Sequence, residues 1–249
     1  MESGRFLRNS QIIILGICIA AATIASSVIL SQGFLKIMKF TREQISVTGS
    51  AQKNIKSDYV VWTASFSNRD ADLAAAYKKL KEDLARVRKY LVFKGVSEKE
   101  IIVDQIVIKM VYKKNEKGGD TNDIQGYILT QSIKVKSGEV DMIAQLSRES
   151  TELLDQGMEF SSGAPEYIYT KLDELKVEML AKATQNAKQR AENMAGAAGN
   201  KIGFMRSARM GVFQITPINS TEVSDWGVND TTSLEKKVTA VVTVSFAIE

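Results

Sequence analysis

The chain has 249 residues, 44% hydrophobic and 25% charged, enough for one large domain or two small ones. Its 33 basic and 29 acidic residues leave a net charge of +4 with both signs interspersed, which gives no footprint for nucleic acid. With no histidine and one cysteine, Cys18, the sequence excludes Ser-His-Asp and Cys-His nucleophilic machinery, His-ligated zinc and an internal disulfide.

The first element is the apolar stretch SQIIILGICIAAATIASSVILSQGFLKIM, residues 10–38. No charged side chain lies between Arg8 and Lys36, and the run from Ile12 to Leu35 is long enough as a helix to cover a hydrocarbon core of about 30 Å. Arg5 and Arg8 also suit the head of a secretory signal, with Ala25 and Ser27 as small residues for cleavage. The length of the run favours an uncleaved signal anchor, residues 1–35, followed by a basic linker, residues 36–42. Leu15-Gly16-Ile17-Cys18 fails as a lipidation site because Ile17 is not small, which leaves Cys18 as a packing or lipid-facing residue. Lys36, Lys39 and Arg42 outnumber Arg5 and Arg8, so charge alone leaves orientation open. A helix apolar on every side does not suit a buried core position with a wet face.

QISVTGSAQKNI then alternates as a half-buried strand with a bulge or bend near Gly49, and DYVVWTASFS, residues 58–67, is a second strand with Trp62, Ala64 and Phe66 on one face. From Asp70 the period changes to 3.6. Leu73, Tyr77, Leu80, Leu84, Val87 and Leu91 form the apolar stripe of a helix that ends at Gly95, with Lys78, Glu82 and Arg86 as ion-pair partners on the wet face. SEKE, residues 97–100, is a capping box, and IIVDQIVIKMVYKK and GYILTQSIKVKS make a long hairpin around NEKGGDTNDIQ.

A helix follows over about 138–155 with Val140, Ile143 and Leu154 inward, then an extended segment, 157–164, before Pro165. The longest helix, about 167–198, carries Leu172, Leu175, Met179 and Met194 and a row of small residues at Ala183, Ala187, Ala191 and Ala195. Such a row lets another backbone approach closely, and packing across the domain's own sheet accounts for it more simply than an oligomer seam. Gly199-Asn200 ends the helix. KIGFMRSARMGVFQIT and KKVTAVVTVSFAIE are the last strands, the latter with Val238, Ala240, Val242, Val244, Phe246 and Ile248 on one face. The polar loop between them, about 217–236, is long enough to imply a functional or disordered role; its Trp226 reads as a staple onto the domain surface before a partner hot spot.

The pattern is α+β: an N-terminal transmembrane helix, then antiparallel sheet with helices packed on one side, and two β-α-β-β passages that hint at a duplication. Carboxylates are the remaining acid or base candidates besides lysine and tyrosine. Asp120 and Asp123 sit on the hairpin tip, and Glu222, Asp225 and Asp230 in the late loop, where solvated loop chemistry is the usual role. GGDTND resembles half a calcium loop, but Gln131 stands where the bidentate glutamate belongs. YKKNEK, residues 112–117, reads as a hairpin end that lysine protects from edge pairing, with phosphate or lipid headgroup contact as the alternative. Phosphate-binding glycine loops are absent. No residue is assigned to catalysis, to a cofactor or to a metal.

ISVTGSAQKNIKSDYVVWTASFS, GVSEKEIIVDQIVI, GYILTQSIKVKSGEVDMIAQL and AKATQNAKQRAENMAGAAGNKIG resemble the SIMPL-domain family, which includes periplasmic immunogenic proteins of bacterial envelopes. The resemblance covers nearly all of residues 43–249. It implies an extracytoplasmic α+β domain, non-enzymatic, that assembles into ring-, channel- or cage-like homo-oligomers and is linked to oxidative or envelope stress defence. With the anchor, it implies a single-pass protein of the cytoplasmic membrane whose bulk is periplasmic. Lys56-Ser57-Asp58 departs from the family, which commonly has proline before the aspartate, and the retained anchor departs from a freely soluble periplasmic role. The rival expectation is a ligand-binding protein or carboxylate-based enzyme using the 217–236 loop, and a third is an adaptor that adds a peptide strand at an open sheet edge.

Overall fold

A long helix, α1 (Ser3–Arg42), opens the computed structural model, which describes residues 3–249, with side chains from 14–35 and 43–249. The backbone of residues 36–42, read above as a linker, continues this helix. Arg5, Arg8, Lys36, Lys39 and Arg42, on which orientation turns, have side chains outside the described ones. After α1 come β1 (Gln44–Lys56), β2 (Tyr59–Asp70), α2 (Leu73–Phe93), a 3-10 turn (Glu98–Glu100), β3 (Ile101–Lys114) and β4 (Asp120–Ser137). The chain continues through α3 (Val140–Glu149), α4 (Glu152–Asp155), β5 (Glu159–Ser162), β6 (Glu166–Ile168) and α5 (Leu172–Ala197). It ends with β7 (Ile202–Met210), β8 (Gln214–Pro217), β9 (Val228–Asn229) and β10 (Glu235–Ile248).

The α+β class holds, but the strands divide between two five-stranded sheets. One has the order β3-β4-β2-β5, with β6 also on β2; in the other β1, β8 and β7 all pair with β10, and β9 adds to β8. The pairs of β10 with β7 and β8, of β2 with β4, β5 and β6, and of β3 with β4 are antiparallel, and the short β8–β9 contact is parallel. The passage β2-α2-β3-β4 keeps its strands in one sheet, whereas β6-α5-β7 begins in one sheet and ends in the other, so the hinted duplication is not confirmed.

The chain forms two compact units, one of Met1–Ser50, Ala181–Gly211 and Val241–Glu249, the other of Ala51–Leu180 and Val212–Ala240. In the second unit the period-two face of β2 places Val60, Trp62, Ala64 and Phe66 in the core. They meet Leu129, Ile133 and Val135 of β4 and the stripe Ala76, Leu80, Val87 and Leu91 of α2. That stripe is shifted from the sequence reading: Leu73 and Tyr77 are exposed and Ala76 is the buried residue of the first turn. Asp72 caps α2 by accepting from the Ala75 N–H at 2.8 Å, and Gly95 at φ +100° closes it. The capping box holds, with Glu100 accepting from the Ser97 N–H at 3.1 Å. Arg86 pairs with Asp83, which is buried on α2, and Lys79 pairs with Asp70.

The helix expected over 138–155 breaks into α3 and α4, and the break rotates Leu154 to solvent while Leu153 becomes fully buried. Trp62 Nε1 donates to Ser162 Oγ at 3.1 Å, and Ser162 Oγ donates to the Ser147 carbonyl at 2.7 Å. This supplies the partner that a buried indole N–H needs.

In the first unit the small-residue row of α5 meets β1. Gly49 has no room for a side chain, because a Cβ there would lie 2.2 Å from the Ala183 carbonyl oxygen and 2.4 Å from the Ala187 nitrogen. Gly49 is therefore a close-approach glycine. Ser50 N–H donates to Asn186 Oδ1 and Arg190 to the Thr48 carbonyl, fixing the helix over the strand. Met194 of α5 is exposed.

Candidate functional site

The long loop between β8 and β10 is ordered by side chains of the strands it connects. Gln214 of β8 donates to the Ser224 carbonyl at 2.7 Å, and Lys237 of β10 donates to the Ser220 carbonyl at 2.9 Å. Gly227 takes φ +86°, and a Cβ there would lie 2.8 Å from the Phe213 carbonyl oxygen, so this turn requires glycine. The Asp230 N–H then donates to the Ile215 carbonyl and returns the chain to the sheet.

The sequence-predicted residues separate on this frame. Glu222 and Asp225 are both exposed, and Glu222 lines a polar cavity of about 230 Å³ with Gln214, Ser220 and Lys237. Trp226 is 94% exposed, so it is not the surface staple expected of it, and its neighbour Val223 is exposed as well. Asp230 is the built-in carboxylate: Oδ1 accepts from the Thr232 N–H and hydroxyl at 2.8 and 2.7 Å, while Oδ2 is buried without a partner. Burial alone would raise its pKa, but the hydrogen bonds from Ser233 and Thr232 outweigh it and hold the carboxyl below its usual range.

On the β3–β4 hairpin, Lys114 pairs with Asp120 at 2.6 Å, and Asn115 accepts from the Lys117 and Gly119 N–H groups, so the tip is a self-satisfied turn. Asp123 is exposed. Gln131 is buried and donates to the Asp104 carbonyl at 3.0 Å, filling the irregular register between Val103 and Ile106. Among the described residues no group of three metal-ligating side chains gathers. Cys18 is exposed on α1.

Sequence reasoning missed Lys236. It is 3% exposed, donates to the Tyr167 carbonyl at 2.6 Å and lines a second cavity. Burial pushes its ammonium below the usual lysine range, with Asp230 opposing. The signal was present, because Lys236 continues the inward period-two face of Val238, Ala240 and Val242 by one step. Asp58 was also undervalued: its carboxylate accepts from the Thr170 N–H at 2.7 Å and hydroxyl at 2.8 Å, anchoring the segment before α5.

The family model for SIMPL, described as a protein of unknown function (DUF541), matches residues 45–246. The chain belongs to the SIMPL family. The match begins just past α1, so the SIMPL domain comprises β1 to β10, and the apolar helix stands ahead of it. No curated protein matches the chain.

Within α1, Ile14–Leu35 is long and apolar enough to cross a membrane, and none of it is buried. Its polar groups are compatible with that setting where the helix itself satisfies them, as Thr23 does by donating to the Ala20 carbonyl at 2.8 Å. The SIMPL domain also exposes apolar side chains on strands: Val107, Ile108 and Met110 on β3, and Phe204, Met205 and Met210 on β7.

Proposed function

We propose that this SIMPL protein is a non-enzymatic component of the bacterial cell envelope, tethered to the cytoplasmic membrane by α1, whose extracytoplasmic domain assembles into a closed homo-oligomer. The observation that carries the reading is the β3 strand. It ends its sheet, so one edge carries no strand partner among the described residues, and along it Val107 is exposed on one face and Ile108 and Met110 on the other. An exposed apolar edge of this length needs a cover in a stable soluble domain. A second copy supplies it without another gene product, and a ring closes every such edge.

A carboxylate acting as general acid would need its pKa raised, whereas hydrogen bonds hold Asp230, the built-in carboxylate of the loop, below its usual range. The link to oxidative or envelope stress rests on the family resemblance. Replacing Val107 and Met110 together with lysine tests the assembly. These residues are exposed in the folded chain, so folding should survive while full-length protein in mild detergent falls from a defined oligomer to a smaller species. An unchanged particle mass would remove β3 from the assembly.

A further inference from the structure

We propose that the cavity beside Lys236 is a binding site for a small carboxylate with a short aliphatic body. The cavity measures about 240 Å³, the space of roughly eight waters, and lies wholly within the second compact unit. One side is apolar, from Ile55, Ile168, Leu172 and Ile215; Asn229 and Thr231 add polar groups at the loop's return. The Tyr167 N–H donates to the Thr231 carbonyl at 2.7 Å, which ties two of the walls together.

The charge of Lys236 is what selects the ligand. An ammonium has three N–H donors, and among the described residues this one makes a single hydrogen bond, to the Tyr167 carbonyl, and no ion pair within 4 Å. Asp230 is the carboxylate that acts on it, yet Asp230 Oδ1 is spent on the loop backbone and Thr232, and Oδ2 is buried without a partner. A buried cation with two spare donors is left electrostatically under-compensated. A carboxylate in the cavity supplies two acceptor oxygens to those donors, and its methylene groups meet the aliphatic wall. The volume limits the body to a few carbons, about the size of butyrate.

The site makes no use of the β3 edge or of α1, so it stands apart from the assembly. The test is thermal unfolding of the full-length protein in mild detergent with millimolar sodium butyrate, against equal sodium chloride and against butyramide. A saturable upward shift of the midpoint is expected with butyrate alone. Lys236→Met should lose the shift, and so should Leu172→Trp, which keeps the ammonium and fills the cavity. If Lys236→Met does not fold, Leu172→Trp decides. A shift that butyramide or chloride reproduces, one that survives Leu172→Trp, or no shift with butyrate overturns the proposal.

Discussion

Lys236 and Ser162 show how single polar groups are held in the interior of a SIMPL domain, and each makes a measurable prediction. Because burial lowers the folded-state pKa of Lys236 below the usual 10.5, the unfolded chain binds more protons in the window between the two values. Stability should therefore rise with pH across that window through this residue, whose titratable neighbours are Asp230, Tyr167 and Tyr169. Other lysines act in the opposite sense: Lys94, hydrogen-bonded to Glu149, has a raised pKa and loses its contribution as pH climbs through it. The test is consequently a difference. Chemical denaturation between pH 7 and 10 should show a shallower rise, or a steeper fall, in Lys236→Met than in the parent chain; parallel curves would show that the lysine is not held below its usual range. Ser162→Ala leaves the Trp62 indole N–H buried without its partner and should cost about 1–3 kcal/mol by equilibrium unfolding.

At the scale of elements, the alanine row of α5 and Gly49 of β1 are two halves of one contact. Gly49→Ala would push a methyl group against helix backbone, where nothing can rotate away, so a cost of about 1–3 kcal/mol or more is expected. Thermal unfolding of that variant checks it; a midpoint like the parent's would mean that helix and strand separate readily. The sequence showed the row of small residues and the glycine but not that they meet, because spacing along a helix does not identify its partner. Periodicity was similarly reliable from Val60 to Phe66 of β2 and from Lys236 to Val244 of β10, where alternate residues are buried, and it lapsed at the register shifts past Ser245. It failed at α3 and α4, where a break after Glu149 turned the inward position from Leu154 to Leu153. The division into two sheets was not legible either: pairing of β10 with β1, β7 and β8 joins segments far apart in the chain, and local alternation carries no record of that choice.

For the whole molecule, the apolar opening and the SIMPL resemblance were legible from the start, since continuous apolarity over a bilayer's thickness and the order of quoted segments are both written in the chain. The loop was the least legible part. Its order depends on Gln214 and Lys237, which lie in the flanking strands, and Trp226 looked like a staple only because its exposure could not be seen. An unburied apolar helix and a domain with an open apolar strand edge together support the proposal of a membrane-tethered homo-oligomer. Mass-resolved size analysis of the full-length chain in mild detergent, with intact mass on the same sample, tests this most directly. The account predicts an intact N-terminus in a particle of one defined mass, several times that of the 27.5 kDa chain. A monomer, with or without its apolar helix, would contradict it.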